Sequence, residues 1–307
     1  MAGLIEESVA NQQGASRMLE LGTITGRILV FGGPYSNLRA TAAIQAEASR
    51  LGIPAARVIC TGDVVAYCAE PEETSRLVAA WGCHVVQGNC EQQIAEGADD
   101  CACNFDEGSA CAVLAKGWYS FARARVSDAM RDWMRRLPGT IHFTAGGLRF
   151  RVVHGGVAQV NRWVFASDKV IVAEECQAAA SDIVIAGHAG VPFIAKSGRR
   201  TWFNPGVIGM PANDRTPEVW YGLVTPTADG VELSMHRLAY DHFGASAAMR
   251  RHGYANGYAR ALVTGLWPSL DVFPPTEREQ AGKRIRPRSV HITAPAQSAA
   301  TAAIACA

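Results

Sequence analysis

The sequence predicts an α/β fold with a two-sheet core and helices on the outside. Two observations carry this. Strand–helix–strand–helix–strand units come first and antiparallel hairpins second. The loops that hold chemistry-grade residues all follow short apolar runs, so they belong to one edge of one core.

The elements follow in order. Residues 1–26 show only weak helical periodicity and are expected to form a partly ordered arm. The run Ile-Leu-Val-Phe at 28–31 ends in Gly32-Gly33-Pro34. It reads as a buried strand and a tight loop, and Asn37 is suited to cap an amphipathic helix over 37–50. Residues 57–61 form a second strand, ending at Gly62-Asp63. A helix over 72–81, with Leu77, Val78 and Trp81 on its apolar face, leads to a third strand over 84–87, ending at Gly88-Asn89. Strands joined through helices imply parallel pairing. The acidic, polar stretch 91–103 is expected to be a loop. Helices over 109–118 and 127–137 stop at Pro138. Residues 140–144 and 148–153 flank Ala145-Gly146-Gly147, a hairpin signal whose second strand delivers His154. Residues 182–186 form a buried strand delivering His188. Residues 193–196 pair with 200–203, and 218–225 with 230–238. Short helices lie near 245–251 and 257–266. The segment 274–307, rich in Pro, Ala, Ser and Arg without periodicity, is expected to be a disordered tail. The domain plan is therefore an arm (1–26), a main domain (27–240), a helical extension (241–273) and a tail (274–307).

A chain of 307 residues with 49% hydrophobic and 19% charged residues is an ordinary globular composition. Its formal net charge of +1 gives no reason to expect nucleic acid or an anionic membrane as partner. No apolar run approaches a membrane span. The first residues lack a secretory signal pattern, so a cytoplasmic location is expected. The 9 cysteines are then expected to be free thiols and not a disulfide framework.

Asp63, Asn89, His154 and His188 each follow a strand and lie beside a glycine. Oxygen and imidazole donors converging from strand ends suit one divalent ion such as Mn, Fe, Zn or Ni. The ordered motifs Gly62-Asp63, Gly88-Asn89-Cys90-Glu91, His154-Gly155-Gly156, Gly187-His188-Ala189-Gly190 and Asn204-Pro205-Gly206 resemble the calcineurin-like metallophosphoesterase superfamily. The nearer match is its small bacterial and archaeal phosphodiesterase branch. The resemblance covers residues 27–238. It implies a four-layer α-β-β-α sandwich of two mixed sheets flanked by helices. It also implies two metals bridged by an Asp, and hydrolysis of a phosphate ester through a metal-bound water.

The departures fall on one side of that site. Where the family opens with Asp-x-His, this chain has Gly33 and Tyr35, and the second His of Gly-His-x-His is Gly190. The ligand set implied for the other metal, Asp63, Asn89, His154 and His188, is intact, which points to a site holding one metal. The family His after the Asn is replaced by Cys90. Cys90 is a candidate acid or ligand, and filling space is the competing reading. Tyr35 is a candidate donor to phosphate, and packing over its loop is the alternative. Asn37, Arg39 and Arg162, with Trp163, are candidate substrate contacts, against a cap for Asn37 and surface positions for the arginines. Cys101 and Cys103 are candidate soft ligands, and Cys111 lies in the same crowded region. The expected function is a metal-dependent phosphoesterase acting on a small phosphorylated substrate. The competing reading is a non-catalytic module that binds a phosphorylated ligand.

Overall fold

The computed structural model describes residues 17–253 and 257–295. Its first elements are β1 (Met18–Thr23), β2 (Ile28–Phe31), α1 (Leu38–Arg50), β3 (Val58–Cys60), α2 (Pro71–Trp81) and β4 (His84–Val85). Asn37 caps α1, its side-chain oxygen accepting from Ala40 N–H at 3.1 Å. Next come α3 (Asn89–Glu96), α4 (Ala110–Arg123) and α5 (Asp128–Arg136). Ser109 and Ser127 cap α4 and α5. They are followed by β5 (Thr140–Ala145), β6 (Leu148–Val152), α6 (Lys169–Ala178), β7 (Ile183–Ile185), β8 (Phe193–Ser197) and β9 (Arg200–Asn204). The last elements are β10 (Val219–Thr227), β11 (Gly230–Leu238), α7 (His242–Arg251), α8 (Gly257–Thr264), α9 (Pro275–Gln280) and β12 (Arg288–Thr293).

The strands form two mixed six-stranded sheets, in the orders β1-β5-β6-β7-β9-β8 and β12-β11-β10-β2-β3-β4. Strands β2, β3 and β4 pair in parallel, as crossover helices require, while β10 joins β2 antiparallel. The period-2 pleat sends alternate residues to opposite faces. Ile28, Val30 and Ile59 meet Ile141, Phe143, Phe150, Ile183 and Ile185 in the core between the sheets. Leu29, Phe31, Val58 and Cys60 face outward, packed with Ile44 of α1 and Val78 of α2. On the other sheet Val184 and Trp202 face outward onto Val172 and Cys176 of α6. Both faces of both sheets are thus covered, which makes the four layers. Parts of α3, α4, α5, α7 and α8 form a separate cluster with Tyr35, Val65 and Cys90, next to the loops that carry the motifs. No helix among the described residues is long and apolar enough to cross a membrane.

Four segments differ from the sequence expectation. Within the expected arm, β1 pairs in parallel with β5. Within the expected disordered tail, β12 pairs antiparallel with β11 and buries Ile292 in the inter-sheet core. Both are edge strands whose pairing depends on a partner distant in sequence, and local periodicity does not register that. The expected loop 91–103 begins as α3. Glu91 accepts from the Gly88 N–H at 3.0 Å, a capping contact, and Gly97 in a left-handed conformation ends the helix. Helix α6 had no expectation, because only Val172, Glu175 and Cys176 are buried along it, too few to set a clear apolar stripe. The last twelve residues of the expected tail and most of the arm lie outside the described residues.

Candidate metal centre

The candidate ligands stand where parallel strands end. β3 runs into Gly62-Asp63, β4 into Gly88-Asn89, β6 into His154 and β7 into His188. Asp63 and His188 adopt left-handed backbone conformations, with φ of 54° and 56°. Such conformations are uncommon for residues with a Cβ and concentrate at functional sites. Hydrogen bonds tie the loops to one another. Glu91 accepts from Asp63 N–H at 2.8 Å, Gly88 N–H at 3.0 Å and Val65 N–H at 3.2 Å. Gly187 N–H donates to His154 O at 2.7 Å, and the Asn204 amide donates to Gly187 O at 3.0 Å.

Asp63, Asn89, His154 and His188 come together. His154 Nε2 lies 3.0 Å from Asn89 Oδ1, 3.0 Å from His188 Nδ1 and 3.3 Å from Asp63 Oδ2. His188 Nδ1 lies 3.9 Å from the same carboxylate oxygen. His154 Nδ1 donates to Thr61 O at 2.7 Å, which orients the ring with Nε2 inward, the nitrogen left to ligate when the ring is neutral. The Asn89 amide nitrogen donates to Cys101 O at 2.9 Å and to Cys103 Sγ at 3.4 Å, leaving its oxygen to face the imidazoles. A carboxylate, an amide oxygen and an imidazole lone pair thus crowd one point with few donors to match them. That donor set fits a divalent cation. Among the described residues, Asp63, His154 and His188 make the grouping of His, Cys, Asp or Glu side chains suited to hold a metal.

Burial pushes the Asp63 carboxyl up, but His154 and His188 hold it far below the usual carboxylate range. Burial lowers His154, and the Asp63 charge and the Thr61 carbonyl more than offset it, so its pKa is raised. Burial leaves His188 lowered. Glu91, buried and facing the Asp63 charge, is pushed up to about 7.

The other sequence candidates lie elsewhere or are engaged. Cys90 does lie against the centre, its N–H 3.4 Å from Asp63 Oδ1, while its buried thiol, pushed well above the ordinary value, packs in the helical cluster. Cys101 and Cys103 orient Asn89 and are not grouped as soft ligands. Asn37 caps α1 and donates to Gly209 O at 3.1 Å. The Arg39 guanidinium is paired with Glu70 and Asp241, and that of Arg162 with Glu174 and Glu175. Neither arginine offers a free cation to a phosphate, because carboxylates close by in the fold take them first.

Beside His188 the character changes. A Cβ at Gly33 would sit 2.5 Å from the Tyr35 ring, and one at Gly190 3.1 Å from the Trp267 ring. Tyr35 is buried, and desolvation with the Asp63 charge pushes its phenol well above the ordinary value. A cavity beside His188 is walled by Tyr35, Tyr67, Trp163, Tyr258 and Trp267. Glu91 and the aromatics other than Tyr35 and Trp163 had no assigned role in the sequence. Glu91 carried a signal, three residues after Gly88 at a helix start. Trp267 carried none, since only the fold returns the extension to this loop.

The family model for the calcineurin-like phosphoesterase superfamily domain matches residues 36–228, more than half of the chain. Among solved structures, a metallophosphoesterase from Sphaerobacter thermophilus is 22% identical, with a TM-score of 0.62 over 79% of this chain and 100% of that one. A hypothetical protein from Pyrococcus horikoshii OT3 is 17% identical, with a TM-score of 0.65 over 78% of this chain and 98% of that one. These likenesses concern the fold. No curated protein matches the sequence.

Proposed function

The chain belongs to the calcineurin-like phosphoesterase superfamily, and on that premise we propose that it is a metal-dependent phosphoesterase holding one divalent ion, Mn, Fe, Zn or Ni. The observation that carries the reading is the convergence of Asp63 Oδ2, Asn89 Oδ1, His154 Nε2 and His188 Nδ1. When bound there, a divalent ion supplies Lewis acidity toward a phosphoryl oxygen and lowers the pKa of a water. The chain's own groups do the positioning. Thr61 O orients the His154 ring, and Cys101 O holds the Asn89 amide. Glu91 joins the Asp63 and Asn89 loops. Asp63 stays ionised and is the charge that retains a cation. One ion alone lacks the clamp on both the attacking and the leaving oxygen that a pair of ions gives. Turnover is therefore expected to be slow on simple phosphoesters. The substrate is a small phosphorylated molecule.

The test is a screen of p-nitrophenyl phosphate and bis-p-nitrophenyl phosphate with each metal. Metal-dependent hydrolysis that His154→Ala abolishes is the expected result. Hydrolysis unchanged in that variant would end the reading. The aromatic wall beside His188 favours a second reading, a module that binds a phosphorylated ligand without turnover. Metal-dependent binding of phosphate esters with no hydrolysis over days would select it.

A further inference from the structure

We propose that the aromatic cavity beside His188 is a binding site for a compact alkylated ammonium group. A ligand carrying both a phosphoryl group and such a cation would then span the metal centre and the cavity. That last step rests on the proposed function, whereas the cavity itself does not.

The walls are π faces. Tyr35 and Tyr67 meet edge to face, with centroids 4.7 Å apart and planes at 89°. Tyr67 and Tyr258 are also 4.7 Å apart, inclined at 47°. Trp163 lies 4.1 Å from His188, inclined at 42°. Rings set at these angles close a box and not a slot. A planar nucleobase is gripped by stacking on a flat platform, whereas a rounded cation is satisfied by faces from several directions. The indole N–H groups are turned away from any ligand. Trp163 donates to Cys103 O at 3.0 Å and Trp267 to Pro211 O at 2.6 Å. Trp163 also stacks on Phe165 and Trp267 on Phe273, so each indole borders the cavity with the part of its ring those partners leave uncovered.

Charge and size agree. No lysine, arginine, aspartate or glutamate lines the cavity among the described residues. No charged Lys or Arg side chain in its wall therefore repels a cation. The cavity leaves about 30 Å³ to the centres of water-sized groups. With a water's radius added all round, that corresponds to a sphere of roughly 3 Å radius, which suits a trimethylammonium head and excludes a purine. Tyr35 and Tyr67 also hold left-handed backbone conformations, with φ of 51° and 41°. For bulky side chains this is strained, and strain of this kind is retained where a fold clamps a ligand.

The test titrates the full chain calorimetrically with choline and with 3,3-dimethylbutan-1-ol, its uncharged isostere, with and without Mn(II). Choline is expected to bind about tenfold more tightly than the alcohol, the scale of a cation–π contact, under both conditions. Equal binding of the two would overturn the proposal in favour of a plain apolar pocket. Adenosine binding more tightly than choline would overturn it in favour of a base site. Trp267→Leu should remove the preference for choline and Trp267→Phe should keep most of it. A preference unchanged in a folded Trp267→Leu protein would also overturn the proposal. Should that variant not fold, the wild-type comparison decides. A choline preference that persists while Mn(II) fails to bind upholds the cavity and removes the metal reading. Mn(II) binding without a choline preference does the reverse.

Discussion

On one side of Asp63 stand an amide oxygen and two imidazoles, each held by a backbone carbonyl or a neighbouring loop. Against His188 stand two glycines and a wall of aromatic rings. The ligand side is made by loops at strand ends and the aromatic wall partly by α8 and the segment after it, and both use left-handed backbone at bulky or charged residues. The frame is shared and the side chains differ. A hydrated ion needs oxygen or nitrogen donors to replace its water, and an aromatic face in a dry cavity offers none. One frame thus presents a donor cluster and an aromatic cavity side by side.

The comparison breaks most readily at His154. His154→Ala should take metal content, measured by elemental analysis of protein purified without chelators, from about one ion per chain to near none. Retention of a full equivalent would mean that the ligands lie elsewhere. Glu91→Gln comes next. An amide cannot accept from three N–H groups, and its own N–H₂ would face donors. Loss of such orienting contacts typically weakens metal binding by about 10- to 100-fold, and a competition titration reads the change. Unchanged affinity would show that Asp63 is positioned without Glu91.

Removal of β12 leaves both sides of the site standing. Ile292 is 7% exposed, and burying an isoleucine contributes about 2 kcal/mol, so truncation before residue 288 should lower the unfolding free energy by at least about that much. Metal content should not change. A truncated chain of unaltered stability would mean that β12 adds nothing to the sheet. The smallest effect is expected where the sequence alone suggests a large one. Gly33→Asp, Tyr35→His and Gly190→His together restore the family's donors, yet the metal count should stay at about one. The Trp267 ring fills the space that a side chain at Gly190 would enter. Adding Trp267→Ala to the three should raise the count toward two. A second ion in the triple variant would show that the aromatic wall yields easily.

Strand β2, the hairpin that delivers His154 and the loop of His188 were legible because their signals are local. Apolar runs, glycine pairs and capping residues act within a few positions of the element they set. The motif order likewise placed Asp63, Asn89, His154 and His188 in one site. The pairing of Arg39 and Arg162 with carboxylates was not legible, because their guanidiniums meet Asp241 and Glu175 only after folding.

The sequence by itself determined the layered α/β class, the chain order of the strand-end loops and the lack of side-chain donors at Gly33 and Gly190. Each depends on residue type and short spacing, which folding does not alter. The tertiary structure alone decided that β1 and β12 complete the sheets, since an edge strand is made by its partner. It alone decided that Trp267, Tyr258 and Tyr67 would gather in one cavity beside His188. Those rings come from segments far apart in the chain, and only their burial against one another gives the cavity a shape.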